Sequence, residues 1–169
     1  MSFRFLILTE KIQEYVSGNS YIDRLPEILQ ETIPGIQVDM CHYVKDAEKL
    51  IGDVDAAFGH IGPELFQSAG KLRWLASPQA GPASGYYHTD LIESDVIVTN
   101  MREIYNDHIS AHIMAFILAF ARGLHVYIPQ QLDRKWISGY RAIHLPEATA
   151  IVVGVGGIGG EAARLCSEF

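Results

Sequence analysis

The stretch Thr149-Ala150-Ile151-Val152-Val153-Gly154-Val155-Gly156-Gly157-Ile158-Gly159-Gly160-Glu161-Ala162-Ala163-Arg164-Leu165-Cys166-Ser167-Glu168-Phe169 reads as a buried strand, a glycine turn and a helix, in that order. Ile151 to Val153 are β-branched, which suits a strand, and Glu161 to Leu165 are helix formers. Between them the glycines follow the GxGxxG spacing. Gly154 permits a tight turn, Gly156 lets the backbone approach a pyrophosphate, and Gly159 lets the helix pack close to its strand. Gly157 and Ile158 complete the turn, and free amides at the helix start would face an anion. These residues form a candidate dinucleotide cradle. The same glycines also fit a flexible loop or a methyltransferase turn, the latter disfavoured because this turn follows a whole α/β domain.

A dinucleotide fold next supplies a strand ending in Asp or Glu about 20 residues beyond the glycines, to hold the adenosine ribose. The sequence stops at Phe169, ahead of that position, so the choice between NAD and NADP cannot be read. A fragment of a longer protein is expected.

Composition narrows the class. The 169 residues are 49% apolar, enough for a packed core, with a net charge of −7. The pI near 5.4 leaves no basic field for nucleic acid. Cys41 and Cys166 lie far apart without CxxC spacing, so neither a disulfide framework nor a zinc site is expected. The first residues start a strand pattern directly, with no signal-peptide layout. The longest apolar stretch, Ile113 to Ala121, is too short to span a bilayer. A soluble cytoplasmic enzyme with neither a membrane nor a nucleic-acid partner is the expectation.

The first hundred residues alternate short apolar runs with amphipathic segments, a βαβ rhythm that predicts a parallel sheet covered by helices. Strands are predicted at Phe3 to Thr9, Ile36 to Cys41, Ala56 to Phe58, Trp74 to Ser77 and Val96 to Thr99. Ile22, Leu25, Ile28, Leu29 and Ile33 recur at helical spacing, and Pro34-Gly35 ends that helix. Asp46 to Ile51 and Glu64 to Ala69 are shorter helix candidates. A long helix is predicted from about Asn106 to Tyr127, ended by Pro129, with Ile109, Ile113, Phe116, Ile117, Phe120 and Leu124 on an apolar face. A helix this apolar needs partners on more than one side. Residues 130–146 show no periodicity, and Ala148 begins the strand that enters the glycine turn.

This layout resembles the D-isomer-specific 2-hydroxyacid dehydrogenases. The similarity is carried by Leu72-Arg73-Trp74-Leu75, Gln79-Ala80-Gly81, Val96 to Asn100, His112 with the helix to Ala121-Arg122, Trp136, and Val153 to Gly160. It implies a flavodoxin-like parallel-sheet substrate domain over residues 1–100, followed over 101–169 by the beginning of a Rossmann dinucleotide-binding domain. It implies hydride exchange between NAD or NADP and a 2-hydroxy or 2-keto acid. It also implies that backbone amides of Ala80 and Gly81 hold the substrate carboxylate, and that Ile109 packs on the nicotinamide ring, with Asn106 a weaker contact. A homodimer built on the long helix and the arm from Trp136 to Pro146 is implied as well. This chain departs from the family pattern at Ser110-Ala111, where an acid usually precedes the matched His112, and at Ala83, where Asp is common.

In that family the catalytic His, its carboxylate partner and the Arg that binds the keto acid all follow the glycine motif. No catalytic residue is therefore assigned here, and the fragment alone is expected to have no turnover. His108 and His112 stand one helical turn apart but lack the Glu of a zincin motif and a third ligand, so no metal is expected. The remaining histidines are read as surface or structural residues. The alternative to an enzyme is a non-catalytic, dinucleotide-responsive binding protein, like the corepressors of the same superfamily.

Overall fold

Phe3-Arg4-Phe5-Leu6-Ile7-Leu8 is nearly all apolar, as a parallel strand buried on both faces requires. In the computed structural model, which describes residues 2–10 and 20–169, this run is the strand β1 (Phe3–Leu8). It is followed by α1 (Ser20–Asp23), α2 (Leu25–Thr32), β2 (Ile36–Cys41), α3 (Val44–Ala47), β3 (Ala56–Phe58), α4 (Pro63–Gln67), β4 (Trp74–Ala76), α5 (Thr89–Ile92) and β5 (Ile97–Thr99). The five strands pair in parallel in the order β2-β1-β3-β4-β5. This is the flavodoxin-like order, an α/β fold whose direction of winding reverses between β1 and β3.

Alternation along the strands sorts the core into two layers. Leu6, Leu8, Ala57 and Leu75 face Ala47, Ile51, Leu65 and Leu91. Phe5, Ile7, Val38 and Ala56 face the other way, against Leu25 and Leu29 of α2. Each fully buried Leu or Ile here contributes about 1.5–3 kcal/mol of transfer free energy. Trp74 ties β4 to β5 by donating its indole N–H to Thr99 Oγ1 at 2.9 Å, and its ring leans on Phe5 at 5.9 Å.

The strand ends carrying Arg4, Asp55 and Arg73 form an ion network. Asp55 accepts the Arg4 backbone N–H at 2.9 Å and pairs with Arg73 at 3.1 Å. The Arg4 amide first, then the Arg73 side chain, hold the Asp55 carboxyl below its ordinary value of 3.8. A depressed folded value makes the stabilisation fully present above the unfolded pKa and lost as pH falls through the folded one. Asp55→Asn keeps an acceptor for Arg4 but removes the charge. It is expected to lower the melting temperature at neutral pH and to flatten the acid limb at and below the ordinary aspartate value of 3.8, read by circular dichroism.

Clustering of backbone contacts sets residues from Glu103 to Phe169 apart from those up to Arg102. The second unit holds α6 (Asn106–Ala121), α7 (Leu124–Leu132), a 3-10 turn at Leu145–Glu147 and α8 (Gly157–Cys166), with α8 packed along α6. Three expectations need correction. The long helix does not run to Tyr127: Gly123, left-handed at φ 73°, breaks it after Ala121. Pro129 does not end a helix but lies inside α7, where it sacrifices a single ladder bond. Ala148 to Val153 form no strand, and Ile151 and Val153 are 86% and 95% exposed. A strand needs a neighbour to complete its hydrogen bonds, and residues 103–169 contain no other strand.

Smaller shifts have local causes. The segment predicted as one helix over Asp46 to Ile51 is instead α3 followed by a 3-10 turn, Ile51–Asp53. The amides of Lys49 and Leu50 bond three residues back, to Asp46 and Ala47, which tightens the chain out of α geometry.

Candidate functional site

In an open parallel sheet the crevice for ligands lies at the carboxyl ends of the strands, at the switch in winding. Here those ends are Leu8-Thr9 after β1, Gly59-His60 after β3, Ser77 to Gly81 after β4 and Asn100 after β5. The buried Thr9 hydroxyl bonds His42 Nδ1 at 2.8 Å, across the β1 and β2 ends.

The segment after β4 is the most polar of these ends. Ser77, 1% exposed, accepts the Gln79 N–H at 3.2 Å, and its hydroxyl donates to the Gln79 carbonyl at 3.1 Å. Asn100 Nδ2 donates to the Ala80 carbonyl at 2.6 Å. A trans peptide is planar, with its C=O and N–H pointing opposite ways, so holding the Ala80 carbonyl aims the Gly81 N–H away from Asn100. Ala80 and Gly81 are both exposed. Fixed amides with no titratable group beside them can bind a carboxylate without exchanging protons with it.

Tyr86, a residue that the sequence pattern does not single out, is buried near this segment. It is 4% exposed and donates its hydroxyl to the Gly59 carbonyl at 3.2 Å. Burial pushes the phenol up to about 12, so it remains a donor at neutral pH. His60 and Tyr87 each meet the Tyr86 ring edge-on, at 5.3 Å. No periodicity marks Tyr86; the available signal was an aromatic pair, Tyr86-Tyr87, inside a Gly/Pro-rich loop.

In the second unit the glycine turn lies exposed at the start of α8. Gly154 adopts φ 90°, which side-chain-bearing residues rarely reach. A Cβ on Gly159 would stand 3.0 Å from the Gly154 carbonyl carbon and closer still to its oxygen. A Cβ on Gly157 would strike the Asn106 side chain, so the first turn of α6 rests against this turn. Gly156 differs: its φ of −74° suits any residue, and a Cβ there would meet no atom within 4 Å. The first bond across the turn, Gly160 N–H to Gly156 O at 2.8 Å, leaves the Gly157, Ile158 and Gly159 amides outside the helix ladder. The residues present therefore fit a pyrophosphate. Ile109, one turn along α6, is 40% exposed.

The other reactive side chains are occupied. Asp107 bonds His108 Nδ1 at 2.7 Å and holds that imidazole above its ordinary value, while the His112 ring stands edge-on to Phe116 at 4.8 Å. His88 caps α5 by accepting the Leu91 N–H. Among the described residues no group of three His, Cys, Asp or Glu is placed to hold a metal. Burial, with Asp46 and Asp39 behind it, pushes the Cys41 thiol up, away from thiolate reactivity. No single described helix is long and apolar enough to cross a membrane; α6 and α7 would pass only as a pair, and they are bent by 71°.

No protein-family model matches this sequence, and no curated protein sequence does either. Solved structures do match. A D-isomer-specific 2-hydroxyacid dehydrogenase family protein from Aeromonas salmonicida subsp. salmonicida A449 is 24% identical with a TM-score of 0.76, over 99% of this chain and 51% of that one. The D-lactate dehydrogenase of Aquifex aeolicus, complexed with NAD and lactic acid, is 16% identical with a TM-score of 0.71, over 97% and 48%. An NADPH-dependent glyoxylate/hydroxypyruvate reductase from Sinorhizobium meliloti, in complex with NADP and sulfate, is 20% identical with a TM-score of 0.69, over 99% and 50%. These identities establish a shared fold. The chain spans about half the length of the structures it matches.

Proposed function

We propose that this chain is the part of an NAD(P)-dependent D-2-hydroxyacid dehydrogenase that carries a carboxylate-binding amide loop and a pyrophosphate turn. The observation that carries the reading is Gly156, whose missing side chain no protein atom requires. The space there is open, and the Gly157, Ile158 and Gly159 amides beside it stand outside the helix ladder, so an anion can come against the backbone. Residues 1–100 serve as the substrate domain, with the Ala80 and Gly81 amides on the carboxylate of a 2-keto or 2-hydroxy acid. Residues 101–169 begin the dinucleotide domain: Gly154, Gly156, Gly157, Ile158 and Gly159 hold the pyrophosphate, and Ile109 packs on the nicotinamide. When bound, NAD(P)(H) supplies or accepts a hydride at nicotinamide C4.

The acid/base and Arg roles are assigned to no residue of this sequence. The 169-residue chain is therefore expected to bind NADH or NADPH saturably, followed by Trp fluorescence, and to reduce neither glyoxylate nor hydroxypyruvate. Absence of dinucleotide binding would overturn the reading, and reduction of either acid would overturn the assignment of catalysis. The exposed end of α7 and the arm that follows, with Leu132 at 81% and Trp136 at 98%, support a homodimer, to be checked by light scattering on the same sample. Two free cysteines and the acidic composition support a cytoplasmic location, which cell fractionation tests. The dinucleotide-responsive binding protein stands as the alternative, with no observation in its favour over the enzyme.

A further inference from the structure

The GxGxxG spacing asks for glycine at Gly154, Gly156 and Gly159, and leaves position 157 open to any residue. Gly157 opens α8 in helical backbone, which side-chain-bearing residues adopt freely, so the backbone does not demand glycine there either. What its missing side chain makes room for is Asn106. The nearest atoms that a Cβ on Gly157 would meet are the carboxamide carbon and oxygen of Asn106, both at 2.8 Å, and the carboxamide nitrogen, closer still. The polar end of Asn106, not its methylene, is what stands against the turn.

That polar end is half-buried, and among the described residues it has no hydrogen-bond partner. The carboxylates around it are paired: Asp107 beside it is bonded to His108 at 2.7 Å, and Glu161, one turn beyond Gly157, to Arg164 at 2.9 and 2.7 Å. An apolar side chain would fill the gap between α6 and α8 without desolvating a carboxamide, so packing alone does not account for an asparagine here. Beside it the Gly157, Ile158 and Gly159 amides stand outside the helix ladder. We propose that Asn106 is a dinucleotide-binding residue: its Nδ2 donates to a phosphate oxygen of the pyrophosphate held by these amides, and position 157 is glycine so that the carboxamide can come up against the turn. The inference rests on the reading of the glycine turn as the pyrophosphate site. It assigns Asn106 to the phosphates, where the family resemblance implied only a weak contact near the nicotinamide. A neutral N–H donor suits the place, since a bond to a charged acceptor is stronger than one between neutral groups and involves no proton exchange.

The test is a calorimetric titration of the 169-residue chain with ADP-ribose, which keeps the pyrophosphate and lacks the nicotinamide, and with NADH. Asn106→Ala is expected to melt with the wild type and to bind both ligands about 10-fold more weakly, the loss of one hydrogen bond to a charged group. Asn106→Asp keeps the shape but sets an unpaired carboxylate against the phosphates. It is expected to bind about 100-fold more weakly at low salt, with its deficit relative to Asn106→Ala narrowing as salt is raised, a response that a packing role would not produce. In Gly157→Ala the added Cβ pushes the carboxamide aside, so it is expected to match Asn106→Ala, and the double variant to bind no more weakly than either single one. Wild-type affinity for ADP-ribose in Asn106→Ala and Asn106→Asp would overturn the role of Asn106 and leave the glycine turn standing. A loss confined to NADH would place Asn106 against the nicotinamide half and overturn the phosphate assignment. Failure of the wild type to bind either ligand would overturn the pyrophosphate turn, and the role of Asn106 with it.

Discussion

A Gly156→Val chain is expected to melt with the wild type and to bind NADH and NADPH about 100-fold more weakly, a loss of about 2.8 kcal/mol. The first half of that expectation follows from the backbone: φ of −74° at Gly156 suits valine, and the added carbons enter space with no protein atom within 4 Å of the Cβ. The second half follows from what the space is for. A branched side chain at the mouth of the turn keeps a pyrophosphate from reaching the Gly157, Ile158 and Gly159 amides, whose value as donors depends on close approach. Gly159→Ala is the contrasting variant, because its Cβ would collide with the Gly154 carbonyl and must move backbone. It is expected to destabilise residues 103–169 by about 1–3 kcal/mol, so its loss of binding is inseparable from a loss of structure. Calorimetric melts with fluorescence titrations distinguish the two. Wild-type affinity in Gly156→Val would sink the dinucleotide cradle.

Strand positions were legible in the sequence because a buried parallel strand announces itself by composition alone. Ile36 to Cys41 and Ala56 to Phe58 need only their own residues to be recognised, and the structure has strands over the same bounds. Features that depend on a distant neighbour were not legible. Ile151 to Val153 have strand composition, yet a strand also requires a partner, which no local pattern reports. The break after Ala121 turns on the left-handed backbone of Gly123, although an isolated glycine in a helical pattern is ordinarily tolerated. The glycine turn was legible as a spacing, but only coordinates separate Gly156, open to a ligand, from Gly159, required by the fold. Likewise Tyr86 and Gly59 are 27 positions apart, and their bond joins an aperiodic loop to the carboxyl end of β3.

That junction carries the last prediction. Gly59→Ala is expected to cost about 3 kcal/mol or more, because it combines two penalties that are usually met separately. Gly59 lies at φ 133°, where an L-residue is strained. Its added Cβ would stand 3.2 Å from the Leu8 carbonyl carbon and Cβ, closer still to the Leu8 oxygen, where β1 and β3 run side by side. Leu8 is 2% exposed within the core and has nowhere to retreat. Any relief must move Gly59, whose N–H donates to the Ala76 carbonyl at 3.1 Å and whose carbonyl accepts from Tyr86. Stability and the loop geometry therefore fail together. Leu75→Ala supplies the control: it removes a buried side chain from the core, costs about 2–5 kcal/mol, and keeps both hydrogen-bond partners of Gly59, the Ala76 carbonyl and the Tyr86 hydroxyl. With urea melts and ¹⁵N-NMR titrations with oxalate, a dicarboxylate probe of the amide loop, on both, Leu75→Ala is expected to retain an oxalate-dependent shift of the Ala80 amide at temperatures where it is folded. Gly59→Ala, compared at the same fraction folded, is expected to lose it. A Gly59→Ala chain that melts with the wild type would refute the close approach of β1 and β3 at the winding switch. One that is destabilised but keeps a wild-type Ala80 response would show that the end of β3 bears on the fold and not on the loop.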